Sequence, residues 1–504
     1  MWGSGAPAAE AARWAVRIVR FTMLGRFVFA SVLVVSVAGS ASGSTTAVDL
    51  LIRNVRVIDG TGAPPHDGVS VAVHDGRIVA IGAGIPAGDG RTIDASGMSV
   101  LPGLIDSHVH FVSAPGSSYR NDSDGTIRQL NRQHLRAYLA CGVTTVLDAG
   151  AFPEVARDIQ QWLRAGNPGP RYLTTGPYLR PPAGYGHERF GGESTLAEVE
   201  GKLDLVQSLG GAGVKIAIEK GLGPFDTLES FSPEMLSAIV SGARRRRLPL
   251  YVHALSEDAQ NQALDLGAHA IMHVAIDVPL FGSYFAGPDL SEAFVRRMAE
   301  SGAYQLTTLS VLDTWPNLYD VKRLDDPLTR LVVPGTEMRT ARASDAPDRF
   351  AISLLGWVVP WTFESARPLI AWLLFSRAHL ASGLQQGQRN VRQLYRAGVP
   401  IVVATDVPSP WPDAIYHFHG VQTAREVELL AEAGLPPTDC IAAATRTPAK
   451  MLGLDRDIGT IEVGKRADLL IVRGDPLHDI RALHDVAWTV KEGVARTPEE
   501  WMSQ

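Results

Sequence analysis

The alternation of apolar and polar positions divides the 504-residue chain into stretches with different rhythms. An apolar run, Phe27 to Val37, follows Arg13, Arg17, Arg20 and Arg26 and precedes the small residues Ala38 to Ser42. That order of basic, apolar and small residues is the order of a secretory signal peptide, and the run is too short to span a bilayer comfortably. From Val48 to Val100, short alternating runs broken by Gly and Pro predict strands joined by tight turns, and the same pattern returns at Ala467–Val472 and Val486–Val494. Between these ends, short β-like runs alternate with helical spacing, which predicts a parallel sheet with helical crossovers. Thr144–Asp148 reads as the second strand of that series and Tyr172–Gly176 as the third.

Composition changes this picture little. With 45% hydrophobic and 20% charged residues and a net charge of -6, the chain is long enough for a large domain plus a smaller one, and nothing in it suggests nucleic acid. The one basic run, Arg244 to Arg247, precedes a strand and reads as a solvated helix end. Cys141 and Cys440 are too few for a disulfide framework. Two readings of the amino terminus stand: a cleaved export signal, starting at Met1 or Met23, and an uncleaved membrane anchor.

Candidate chemistry gathers at strand ends. Leu101 to Phe111 runs from a buried-strand pattern into His108 and His110, which share a face and can hold one ion between them, with Asp106 in phase to add an oxygen or orient a ligand. Alone the pair is weak, because 14 histidines in 504 residues give roughly 0.4 such pairs by chance, and His417 with His419 forms a second. The rest of the set raises it: Lys215, His253, His273 and Asp406 each lie within or at the carboxyl end of a β-like segment. In a parallel barrel those ends converge on one mouth.

On Pro-Gly-Leu-Ile-Asp-Ser-His-Val-His, the strand-end Lys215, the single His253 and His273, Thr405-Asp406, and the tail Ala444 to Leu454 running on through Gly459 to Val472, the chain resembles the amidohydrolase superfamily. The likeness is to the branch of imidazolonepropionase-like and prolidase-like proteins. It implies a (β/α)8 TIM-like barrel over residues 104–454, beside a small β-sandwich built from residues 44–103 and 455–504, with residues 1–43 as signal or anchor. It further implies two divalent metal ions, zinc first among the metals that suit such ligands, held by His108, His110, Lys215, His253, His273 and Asp406. Lys215 would act as a carbamate, since an ammonium cannot ligate a cation, and Asp406 as both ligand and acid/base. No glutamate sits two residues after His253, which argues against a purine deaminase.

The Gly/Pro-rich loop after the third strand makes Tyr185 and His187 candidates for substrate contact, with loop stabilisation the other role for His187, and His419 is a further candidate whose alternative is ordinary packing at a helix entry. His66 and His74 read as surface residues. Residues 312–388 are long for a loop and carry Trp315, Tyr319, Phe350, Trp357, Trp361, Phe363, Trp372 and Phe375, so they form structure of their own. A lid over an apolar substrate, packing against the barrel or a second copy of the chain, and shallow membrane contact are the uses open to it. The function expected is hydrolysis of an amide-type C–N bond in a dipeptide or N-acyl amino acid. Lactonase, phosphotriesterase-type or imidazolonepropionase-like hydrolysis is the alternative, and a metal-binding protein without turnover is the other class.

Overall fold

The computed structural model describes residues 48–111, 113–114, 117–118, 125–185, 192–220, 228–276, 287, 289–317, 320–343, 377–408 and 417–504. The signal-like segment therefore lies outside the described residues. So do His187 and, within the insertion, Tyr319, Phe350, Trp357, Trp361, Phe363, Trp372 and Phe375.

The two ends of the chain are knitted into one mixed sheet. Its strands are β1 (Leu50–Val57), β2 (His66–His74), β3 (Arg77–Gly82), β4 (Arg91–Asp94) and β5 (Met98–Pro102) from one end. The other end supplies β16 (Leu469–Arg473), β17 (Val486–Lys491) and β18 (Val494–Arg496). The order is β18-β17-β16-β5-β1-β2-β3, with β4 beside β1. The join is antiparallel, Val100 opposite Ile471, and alternation puts Leu50, Ile52, Val71, Val73, Leu469 and Ile471 into a core of their own. The sequence reading was of a sandwich; the hydrogen bonding is that of a single eight-stranded sheet, because β5 pairs with both chain ends. His66 is exposed and His74 half-buried on β2.

The middle of the chain carries β6 (Leu104–Val109), the two-residue strands β7 (Ser113–Ala114) and β8 (Ser117–Ser118), β9 (Val143–Asp148), β10 (Arg171–Thr174), β11 (Val214–Ala217), β12 (Leu250–His253), β13 (Ala270–Met272), β14 (Tyr304–Leu306) and β15 (Ile401–Val402). Apart from the β7–β8 hairpin these pair in parallel, as β10-β9-β6 and β11-β12-β13-β14-β15. Among the described residues they make two sheets and no closed ring. The strands at the seams are short, and each seam keeps a single parallel bridge, Val109 to Val407 and Leu179 to Ile216.

Period-two alternation sorts these strands into two faces. Val214, Ile216, Leu250, Val252 and Ile271 pack outward against the helices, whereas Leu147, Tyr251, Ala270, Met272, Leu306 and Val402 fill a second core on the other face. Lys215 and His253 fall on that inner face. The connecting helices start where the sequence provides caps: Thr195 with Glu198 forms a capping box, and Ser232, Ser256 and Ser291 each accept a hydrogen bond from the third helical residue.

The described part of the insertion is helical, at Leu309–Thr314, Pro327–Val332, Gly335–Ala341 and Arg377–Arg396, with Trp315 buried. A buried pair, His134 Nε2 to Glu337 Oε1 at 2.6 Å, pins helix Gly335–Ala341 to helix Thr126–Ala140. No described helix is long and apolar enough to cross a membrane.

Candidate metal centre

Four of the expected ligands, His108, His110, Lys215 and Asp406, meet atom to atom toward the carboxyl ends of the parallel strands, and the other two, His253 and His273, join through ring contacts. The Nε2 atoms of His108 and His110 are 3.2 Å apart, and Oδ1 of Asp406 lies 3.2 Å from the first and 3.0 Å from the second. Lys215 Nζ is 3.0 Å from His108 Nε2. The His273 ring centroid lies 5.0 Å from that of His108 and 4.6 Å from that of His253.

The backbone explains why these side chains converge. On β13 Ala270 and Met272 face inward, so strict alternation would turn His273 away; its φ of 73° breaks the alternation. Thr308 and Asp406, just beyond β14 and β15, are also left-handed, at φ 49° and 61°. Such conformations in residues other than glycine cost of order 1 kcal/mol or more and collect where a side chain must be aimed. His273 Nδ1 lies 2.9 Å from Thr308 Oγ1, which orients the ring. Gly150 leaves the space His110 needs, since a Cβ there would come within 3.1 Å of His110 Cε1.

Burial governs the charges. It pushes the His273 imidazolium down to about 4 and holds His108 and His253 well below the usual histidine range, so all three offer neutral nitrogens. It also lowers Lys215 to about 8, against the opposing pull of Asp406 and Asp148. Burial would raise Asp406, but His108, His110 and His273 hold its carboxyl well below the ordinary carboxylate range. His253 Nε2 is buried without a hydrogen-bond partner. A divalent cation is what this donor set fits: neutral imidazoles, an anionic carboxylate, and nitrogen and oxygen atoms crowded to about hydrogen-bond distance. His108, His110 and Asp406 present their ligand atoms within 4.8 Å of one another.

Other residues fall differently from the sequence reading. Asp106 does not share the His108 face, because a bulge between Asp106 and Val109 shifts the phase of β6. Its carboxylate accepts from Thr405 N at 3.1 Å, Thr405 Oγ1 at 2.8 Å and Thr423 Oγ1 at 2.9 Å, which braces the segment leading to Asp406. His419, a candidate for substrate contact, is packed in the protein interior: it stacks on His134 and Phe111, and its Nδ1 lies 3.0 Å from Tyr138 Oη. Tyr185 stacks on His253 with centroids 4.0 Å apart, so it walls the centre.

Three neighbours escaped sequence reasoning. Lys215 Nζ lies 5.4 Å from the Tyr178 ring, and the fully buried Arg180 donates to Tyr178 Oη at 3.1 Å. Asp148, the last residue of β9, accepts from Tyr172 Oη at 2.8 Å, and burial raises it to about 7. Its position at a strand end, like those of Lys215 and His253, was the available signal.

The fold and the site define an α/β protein with a His, Asp and Lys metal-type centre at the ends of parallel strands. The chain belongs to the amidohydrolase family, which it matches over residues 99–495. It is similar to a dihydroorotase of Streptococcus thermophilus, 43% identical over 77 residues, which are 14% of this chain and 17% of the relative. The chain thus matches less than a fifth of the length of that relative. Over nearly its whole length its fold is like that of a Xaa-Pro dipeptidase, with TM-score 0.65 and 23% identity over 89% of this chain and 99% of the other. It is also like that of molinate hydrolase, with TM-score 0.64 and 21% identity over 89% and 94%.

Proposed function

We propose that this chain is a metal-dependent hydrolase of an amide-type C–N bond, acting on a dipeptide or an N-acyl amino acid. One observation carries the reading: His108, His110, Lys215 and Asp406 converge at 3.0–3.2 Å beside neutral His253 and His273. The likeness to a protein described as a Xaa-Pro dipeptidase and to one described as molinate hydrolase supports a C–N bond. As part of the same proposal, the two parallel sheets are arcs of one eight-stranded barrel, supported by the bridges at both seams, with the mixed sheet as a separate domain. Residues 1–43 direct export; amino-terminal sequencing of the secreted product tests this, and an intact terminus sinks it.

His108, His110, His253, His273, Asp406 and Lys215 would hold two divalent ions. Such ions polarise a carbonyl and bring the pKa of water toward neutrality. The chain's own residues do the remainder. Lys215, lowered to about 8, has a neutral amine available to add carbon dioxide and release a proton, giving an anionic carbamate. Asp406, ionised at neutral pH, accepts the proton of the attacking water and returns it to the departing nitrogen. Tyr185, against His253, flanks the substrate side of the centre.

The test is metal content per chain by elemental analysis, for wild type and Lys215→Ala, followed by turnover of matched amide, lactone and phosphotriester substrates. Two ions falling to one or none, with amide turnover dominant, is the expected result. One ion in both proteins removes the bridging role of Lys215. Dominant lactone or phosphotriester turnover replaces the proposed reaction.

A further inference from the structure

The other end of the parallel strands carries an open cleft of about 800 Å³, within the usual range for small-molecule sites. It lies between the end of helix Pro153–Arg164, the loop that leads into β10, and strands β17 and β18. Arg171, on its wall, is the first residue of β10, whereas His253 is the last residue of β12 and His110, His273 and Asp406 lie beyond the last residues of β6, β13 and β15.

The charges lining the cleft do not balance. Arg164, Arg171, Lys491 and Arg496 face it with one acidic side chain, Glu492. Arg171 and Lys491 are already committed: each reaches Asp468 and Glu492 at 3.1–3.2 Å. Glu492 also has Arg466 at 3.5 Å, which in turn reaches Asp457 at 3.9 Å, so none of these carboxylates is left for a further cation. The Gln504 backbone oxygen accepts from Arg136. Arg164 donates Nε to the Gln160 carbonyl at 3.1 Å, and the Arg496 guanidinium lies 5.0 Å from the Trp501 ring centroid. Among the described residues neither Arg164 nor Arg496 pairs with a carboxylate. The half-buried Leu163 and the exposed Val494 add apolar wall beside them.

We propose that this cleft is a second binding site for a small organic anion, whose carboxylate or phosphate head meets Arg164 and Arg496 while its apolar body lies against Leu163 and Val494. A guanidinium offers several donors in a fixed fork that matches either head group, and an unpaired one leaves those donors to water until an anion arrives. The occupant does not compete with substrate, because the site is at the opposite strand ends.

Titration calorimetry on the metal-loaded full chain tests this, with phenylacetate, phenyl phosphate and inorganic phosphate as probes at constant ionic strength set with sodium chloride. At least one organic probe is expected to bind saturably, one per chain, and more tightly than inorganic phosphate. The Arg164→Gln/Arg496→Gln variant is expected to weaken that binding at least tenfold, and Lys215→Ala to leave it unchanged. Circular dichroism checks that the variant is folded; if it is not, the Arg164→Lys/Arg496→Lys pair keeps the charge, removes the fork, and is expected to weaken binding too. The proposal is overturned by no saturable binding of either organic probe, by binding that survives loss of both forks, or by inorganic phosphate binding as tightly as both organic anions. Binding lost in Lys215→Ala would assign the anion to the metal centre and overturn it equally.

Discussion

At the scale of single residues, the proposed mechanism puts two demands on Asp406, which stays ionised among histidines and would exchange a proton. Replacing it with Asn preserves shape but removes both charge and basicity. Asp406→Asn is expected to lower kcat by about 10²–10⁴-fold, with a circular dichroism spectrum like that of wild type; turnover within a few fold of wild type would remove its acid/base role. Gly150 is a steric case. Its φ of 154° and the 3.1 Å approach of His110 mean that a methyl group there would push the ring by a few tenths of an ångström. Gly150→Ala is expected to displace His110 and cut amide turnover about tenfold, since misplacement of a positioned group by a fraction of an ångström is costly. Metal content measured beside kcat checks it, and unchanged values of both would refute the steric reading.

Elements are held in place by carboxylates borrowed from other elements. Helix Leu309–Thr314 begins at Thr308 without a side-chain cap of its own. Glu426, from helix Val421–Glu432, supplies it instead, accepting from Leu309 N at 2.8 Å, from Ser310 N at 2.6 Å and from Thr307 Oγ1. Glu426→Ala leaves those buried donors unmet and is expected to cost about 2–4 kcal/mol in urea unfolding; a loss below half a kcal/mol would show the cap to be dispensable. On the same helix Glu428 binds Arg425 at 2.9 Å and His484 at 3.3 Å. Burial would raise Glu428, but His484 and Arg425 overcome it and lower the carboxyl from 4.5 to about 2. A carboxyl depressed in the folded state adds stability that is complete above its unfolded value and fades as pH falls from about 4.5 toward 2. Wild type is therefore expected to lose more stability between pH 6 and pH 3 than Glu428→Gln, and equal losses would contradict this.

For the whole molecule, the proposed ligands come from several separate strands, so metal bound there would clamp the parallel sheets. An ion that binds only the folded chain stabilises it by mass action. Chelation is expected to lower Tm by several degrees and added metal to restore it, with a smaller shift in Lys215→Ala. A Tm indifferent to chelator would mean that these side chains hold no ion.

Much of this was legible in the chain because period-two and helical spacing are local properties. The strand series and the positions of His108, Lys215 and His253 within or at the ends of their strands follow from neighbouring residues alone. Family membership was legible in the same way, from short motifs. Of the two roles open to Asp106, adding an oxygen or orienting a ligand, the structure favours the second, because a bulge that depends on the partner strand shifts its phase and its carboxylate braces Thr405. His419 could not be told from a substrate contact, since its stacking partners His134 and Phe111 lie hundreds of residues away in sequence.

By itself, then, the sequence determined which residue types stand at strand ends and which segments pair as β or coil as helix, because those depend on side-chain period and backbone propensity. Tertiary structure alone decided which of those side chains meet. The left-handed turn at His273, the space beside Gly150 and the surplus of cations in the cleft at the far end each arise from chain segments brought together only by packing.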